Sequence, residues 1–140
     1  KRNQKYMVAD FLEDSPIERA HIGLTLTECS DGLPDHGNYA KILQMRRTPQ
    51  ELLEMICDPS FSMFDQWQVQ KQATIQVWAD VYLYSSLPRE DVEKAMLKPI
   101  DSIEDTLAQL MRKYGPGAKV AVMPYGPLTI PYLNHTANVS

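Results

Sequence analysis

Two apolar runs with a period of two, Ile22-Gly23-Leu24-Thr25-Leu26-Thr27 and Ala79-Asp80-Val81-Tyr82-Leu83-Tyr84, are separated by well-punctuated helix signals. That alternation constrains the fold more than any other feature of the chain. Successive side chains on a strand point to opposite faces, so a period of two reads as a half-buried strand. Strands joined through helices are most simply parallel, because the crossover returns the chain to the end from which it set out. A third apolar, β-branched run, Ala118-Lys119-Val120-Ala121-Val122-Met123, reads as a further strand. The expected fold is α/β: a three-layer sandwich with a small, mainly parallel sheet flanked by helices. A length of 140 residues suits one such domain around one core.

The helices announce their ends. Thr48-Pro49-Gln50-Glu51 is a capping box with proline in the first turn, where its missing amide would have had no helical partner. That helix should bury Leu52, Leu53 and Ile56 and stop near Asp58-Pro59. A longer helix follows Asp65 and runs to about Trp78. A short one follows Pro88, with Val92, Ala95 and Met96 inward. In the last, Ser102 caps the start, Asp105 favours the positive end of the dipole, and Gly115-Pro116 stops it. Its apolar residues Ile103, Leu107, Leu110, Met111 and Tyr114 recur at three and four, which predicts a buried face. Residues 1–20 read as a lead-in, with a possible helix over Tyr6–Leu12 that Asp14-Ser15-Pro16 breaks. Residues 21–133 read as the domain and 134–140 as a polar tail.

Charge narrows the function classes. The net charge is −4 and the pI about 5.3. No cluster of Lys and Arg is interleaved with aromatics, which argues against nucleic acid. No apolar run reaches the roughly 18 residues a membrane span requires. The opening Lys1-Arg2-Asn3-Gln4-Lys5 leads into no apolar signal core. A cytoplasmic protein is expected, with Cys29 and Cys57 as two buried thiols, since their spacing fits no metal site.

The chain carries little chemistry of its own. It has no Gly-x-Ser-x-Gly, no Gly-rich phosphate loop, no His-Glu-x-x-His and no Cys-x-x-Cys. Its three histidines, His21, His36 and His135, are scattered. The carboxylate pairs Glu90-Asp91 and Glu104-Asp105 fall at helix starts, where the dipole explains them. No metal ligands and no catalytic residues are expected in this chain. In parallel sheets ligands bind beyond the carboxyl ends of the strands. Ser30-Asp31-Gly32 stands at such an end, either as a simple turn or as a loop facing a ligand. Pro124-Tyr125-Gly126-Pro127-Leu128-Thr129-Ile130-Pro131 is rigid and extended by composition.

The segment Asp65-Gln66-Trp67-Gln68-Val69-Gln70 holds one of only two tryptophans. On a helical projection Val69, Ala73 and Val77 form one stripe. Trp67 falls away from it, on the side of Thr74, Ile75 and Trp78. The helix thus has two apolar faces, and the second must meet another layer, another domain or a pocket.

Four stretches, in order, resemble the nickel-dependent lactate racemase family. Asp65-Gln66-Trp67-Gln68-Val69-Gln70 is similar to its Asp-Gln-Trp-x-x-Gln segment. Thr27-Glu28-Cys29-Ser30-Asp31-Gly32 looks like its strand end, and Thr48-Pro49-Gln50-Glu51-Leu52-Leu53 like its helix start. Tyr114-Gly115-Pro116-Gly117-Ala118-Lys119 and Pro124–Pro131 look like its terminal segment. The resemblance spans about residues 21–133. At the family's substrate-binding Gln-x-x-Lys this chain reads Gln4-Lys5-Tyr6-Met7, with no lysine at that offset.

The resemblance implies the C-terminal domain of a two-domain 2-hydroxyacid racemase or epimerase. Family members use a nickel pincer nucleotide: a hydride leaves the hydroxyl-bearing carbon for the cofactor and returns to the other face. The cofactor lysine and the proton-transfer histidines belong to the N-terminal domain, so this fragment alone should be inactive. Its implied partners are its own N-terminal domain and a small 2-hydroxy acid, lactate or a larger hydroxy or sugar acid. By position, Trp67 would line the substrate and cofactor cleft, with Gln66 and Gln70 as neighbours. The competing reading is a non-catalytic α/β ligand-binding or docking module.

Overall fold

The computed structural model of the chain describes residues 22–118, 120–123 and 125. The possible helix at Tyr6–Leu12, His21, His135, the polar tail and all of Pro124–Pro131 except Tyr125 lie outside them. The described residues form an α/β sandwich around a three-stranded parallel sheet. The strands are β1 (Ile22–Leu26), β2 (Asp80–Tyr84) and β3 (Lys98–Pro99), in that spatial order. The helices are α1 (Tyr39–Leu43), α2 (Pro49–Cys57), α3 (Gln66–Gln76), α4 (Arg89–Lys94) and α5 (Ile103–Tyr114).

The two period-two runs pair with each other in parallel, from Ile22 beside Asp80 to Leu26 beside Tyr84. Along β2, Val81 and Leu83 are buried while Asp80, Tyr82 and Tyr84 are not, so the alternation in sequence is an alternation of faces. The third strand is not the expected one. Residues 118 and 120–123 are in no strand, and Val120 and Val122 are exposed. β1 takes one edge of β2 and Lys98–Pro99 takes the other. The Ile100 amide extends this pairing, donating to the Leu83 carbonyl at 3.1 Å. Pro99 is tolerated because β3 is an edge strand.

The larger core lies among helices rather than under the sheet. Ile42, Leu43, Leu52, Ile56, Val69, Ala73 and Ala95 form one buried cluster, with Leu53 and Met96 packed against it. A smaller cluster of Ile75, Ala79 and Val81 joins α3 to the sheet. Val77, expected in the core stripe, is exposed, at the C-cap position of α3. Cys29 is half-buried and Cys57 exposed, so the thiols are not the buried pair expected.

The caps at Thr48 and Ser102 form as the sequence requires. The Glu51 amide donates to Thr48 Oγ1 at 3.2 Å, and Glu51 Oε2 accepts from the Thr48 amide at 3.2 Å. Ser102 Oγ accepts from the Asp105 amide at 3.1 Å. The two helices then diverge. Leu52 and Ile56 of α2 are buried, whereas no residue of α5 is. Leu107, Met111 and Tyr114, expected on an inward face, are exposed in this structure.

Candidate functional site

The start of α3 is held by side chains that turn away from their own helix. Asp65 is the N-cap residue, yet it has φ 71° and its carboxylate caps nothing in α3. Its Oδ2 instead accepts from the Asn38 amide at 2.8 Å, across 27 residues. Asn38 is in turn the N-cap residue of α1, and its own side chain makes no capping bond. One carboxylate therefore joins the starts of two helices. Gly37 fits beside it for want of a side chain, because a Cβ there would stand 2.3 Å from Asp65 Oδ2. Gln66 Oε1 accepts from the Met63 amide at 2.7 Å, which closes the turn before the helix.

Trp67 follows directly, and 56% of it is exposed. Gln70 is exposed too, with its Nε2 donating towards Cys57 Sγ at 3.9 Å. Of the three residues expected at a cleft, Trp67 presents the open apolar surface, Gln66 is engaged within its own turn, and Gln70 leans to α2.

Gln72 and Gln76, further along α3, serve α4. That helix ends in a left-handed residue, Met96 with φ 57°. The Met96 amide donates to the Glu93 carbonyl and the Leu97 amide to the Val92 carbonyl, the pattern of a Schellman cap with methionine where glycine is usual. The carbonyls left over are taken from α3. Gln72 Nε2 donates to the Ala95 carbonyl at 2.7 Å and Gln76 Nε2 to the Met96 carbonyl at 2.8 Å. Gln72 Oε1 accepts from the Tyr39 hydroxyl. Sequence reading did not assign these roles, since the partners are far apart along the chain.

At the carboxyl ends of the strands, Ser30-Asp31-Gly32 is a turn: the Gly32 amide donates to the Cys29 carbonyl at 2.9 Å, and Gly32 has φ 71°. The loops after β1 and β2 are tied at one atom, the Glu28 carbonyl, which accepts from both the Ser86 amide and hydroxyl. His36 is exposed, 3.4 Å from Asp35 Oδ1.

An open recess of about 390 Å³ is lined by Gln76, Val77, Trp78, Ala79, Asp80 and Tyr114. It sits where β2 begins, at the opposite end of α3 from Trp67, and away from the strand ends at which parallel sheets present ligands. Among the described residues no three His, Cys, Asp or Glu side chains are grouped to hold a metal ion. Nor is any described helix long and apolar enough to cross a membrane.

These features define a class, an α/β domain in which one helix opens on a tied turn followed by an exposed tryptophan. The sequence profile of the lactate racemase C-terminal domain matches residues 11–130, and the chain belongs to that family. No curated protein matched the chain. Among solved structures it is similar to the lactate racemase apoprotein from Thermoanaerobacterium thermosaccharolyticum, with a TM-score of 0.58 and 19% identity. That match covers 68% of this chain and 23% of the other. At that identity the likeness is one of fold, and the chain spans less than a quarter of its neighbour's length.

Proposed function

We propose that this chain is the C-terminal domain of a nickel-pincer-dependent 2-hydroxyacid racemase or epimerase, and that it forms one wall of the substrate and cofactor cleft. The observation that carries the reading is Trp67: a large indole, more than half exposed, at the pinned start of α3 in a chain of the lactate racemase C-terminal family. An exposed indole at a fixed turn supplies a flat apolar surface that excludes water from whatever closes over it. Gln66 and Gln70 flank that surface.

Hydride exchange would be supplied by the nickel pincer nucleotide, held by the N-terminal part of a longer protein. The attachment lysine would belong to that part, and the share of this chain would be to shape the cleft. The substrate would be a small 2-hydroxy acid of the lactate type, and the protein a cytoplasmic one.

The test is to produce the protein with its native upstream chain and with the cofactor-building enzymes, then measure nickel content and intact mass together. Stoichiometric nickel with a mass adduct on one lysine is expected. A folded protein with neither would overturn the reading and leave a docking module in which Trp67 is a packing residue.

A further inference from the structure

We propose that Asp65 is a positioning residue for Trp67, fixing the direction of the indole through the start of α1 rather than through its own helix. The inference rests on the reading of Trp67 as a cleft wall and adds how that wall is held.

An aspartate at an N-cap ordinarily has extended backbone and accepts from an amide in the first turn of its own helix. Asp65 does neither. It holds a left-handed backbone, a strained state for a residue with a Cβ, and such strain persists only where the surroundings enforce it. The enforcing contact is the 2.8 Å bond from the Asn38 amide to Oδ2. Gly37 is shaped to the same contact, since a Cβ there would approach the same oxygen to 2.3 Å. Asp65, Gly37 and Asn38 thus form one junction between the loop after β1 and the first turn of α3.

Trp67 lies two residues beyond the junction. The first turn of a helix lacks intrahelical partners for its amides and is where a helix frays. An indole mostly in solvent has few packing contacts of its own to resist that fraying. Gln66 closes the turn only locally, to Met63. Val69 anchors the far side of the turn in the core, and the Asp65 carboxylate is the side-chain bond that ties its near side, just before Trp67, to a distant part of the fold.

The experiment uses ¹⁹F NMR on protein labelled with 5-fluorotryptophan. The Trp67 resonance is assigned by its loss in Trp67→Phe, and that of Trp78, at the far end of α3, serves as internal control. Asp65→Gly suits the positive φ and removes the whole side chain, carboxylate included. It should move the Trp67 resonance at least halfway towards free 5-fluorotryptophan and leave Trp78 in place. Asp65→Asn keeps an oxygen acceptor and should restore most of the original shift. Gly37→Ala should reproduce the Asp65→Gly effect from the other side of the contact. An unmoved Trp67 resonance in Asp65→Gly would overturn the proposal, as would equal movement of both resonances, which marks general loosening. A moved resonance in a full-length enzyme whose KM for its hydroxy acid stays unchanged would uphold the positioning role and instead refute the cleft reading of Trp67.

Discussion

Helices α2 and α5 carry the same kind of signal in sequence and meet different fates. Both open on a hydroxyl cap, both have an acidic first turn, and both space their apolar residues at three and four. In α2 that face is sealed, with Leu52 0% exposed. In α5 the equivalent Leu107 is 37% exposed, and no residue of the helix is buried. Amphipathicity therefore states that a face is apolar. It does not state which part of a protein covers it. α2 finds α1 and α3 within its own helical cluster, whereas α5 has no such neighbour among the described residues.

Truncating both faces should separate the two helices by the widest margin. Leu52→Ala should cost about 2–5 kcal/mol of stability, the usual range for a sealed leucine. Leu107→Ala should cost under about 0.5 kcal/mol in this chain, as at a surface site. Urea unfolding of the two variants side by side checks both, and equal losses would show that α5 is as well packed as α2.

A smaller effect is expected where α3 caps α4. Gln72→Ala leaves the Ala95 carbonyl with only the longer bond from Gln76, at 3.3 Å, and should cost about 1–3 kcal/mol. Slower amide exchange in the α3–α4 region of this variant than in the parent chain would contradict it.

The smallest effect is the acid dependence of the α2 cap. The Arg47 amide, foremost, and then Thr48 hold the Glu51 carboxyl below the ordinary glutamate range. A carboxyl lowered in the folded state adds stability above its unfolded pKa, and that share is lost as the pH falls through the lower folded value. Glu51→Gln should therefore flatten the decline of the urea midpoint on the acid side of the ordinary glutamate pKa. α5 provides the contrast, because Ser102 caps it without a reciprocal carboxylate. An unchanged slope in Glu51→Gln would remove the reciprocal half of the box from the account.

What was legible in the sequence was local or strictly periodic. The Thr48 and Ser102 caps, both principal strands and the parallel sheet follow from signals a few residues long. α1 escaped notice because it has five residues and no side-chain cap, and its start is held by Asp65 from 27 residues away. β3 escaped because two residues, one a proline, give no period. The run at Ala118–Met123 misled because a β-branched composition cannot say whether an edge of β2 remains to receive it. At the candidate site, the resemblance pointed to Trp67, and helical projection set it apart from the core stripe. The roles of Asp65, Gly37, Gln72 and Gln76 depend on contacts between distant segments, and only the fold reveals them.

Trp67 is the residue on which the cleft reading turns. In the full-length protein, Trp67→Ala should lower kcat/KM for the hydroxy acid by about tenfold or more, roughly 1.4 kcal/mol of transition-state stabilisation. Its unfolding free energy should change by less than about 1 kcal/mol. A loss of about 3–5 kcal/mol in stability, the range for a core tryptophan, or full activity in the variant, would contradict the account and make the indole a packing residue.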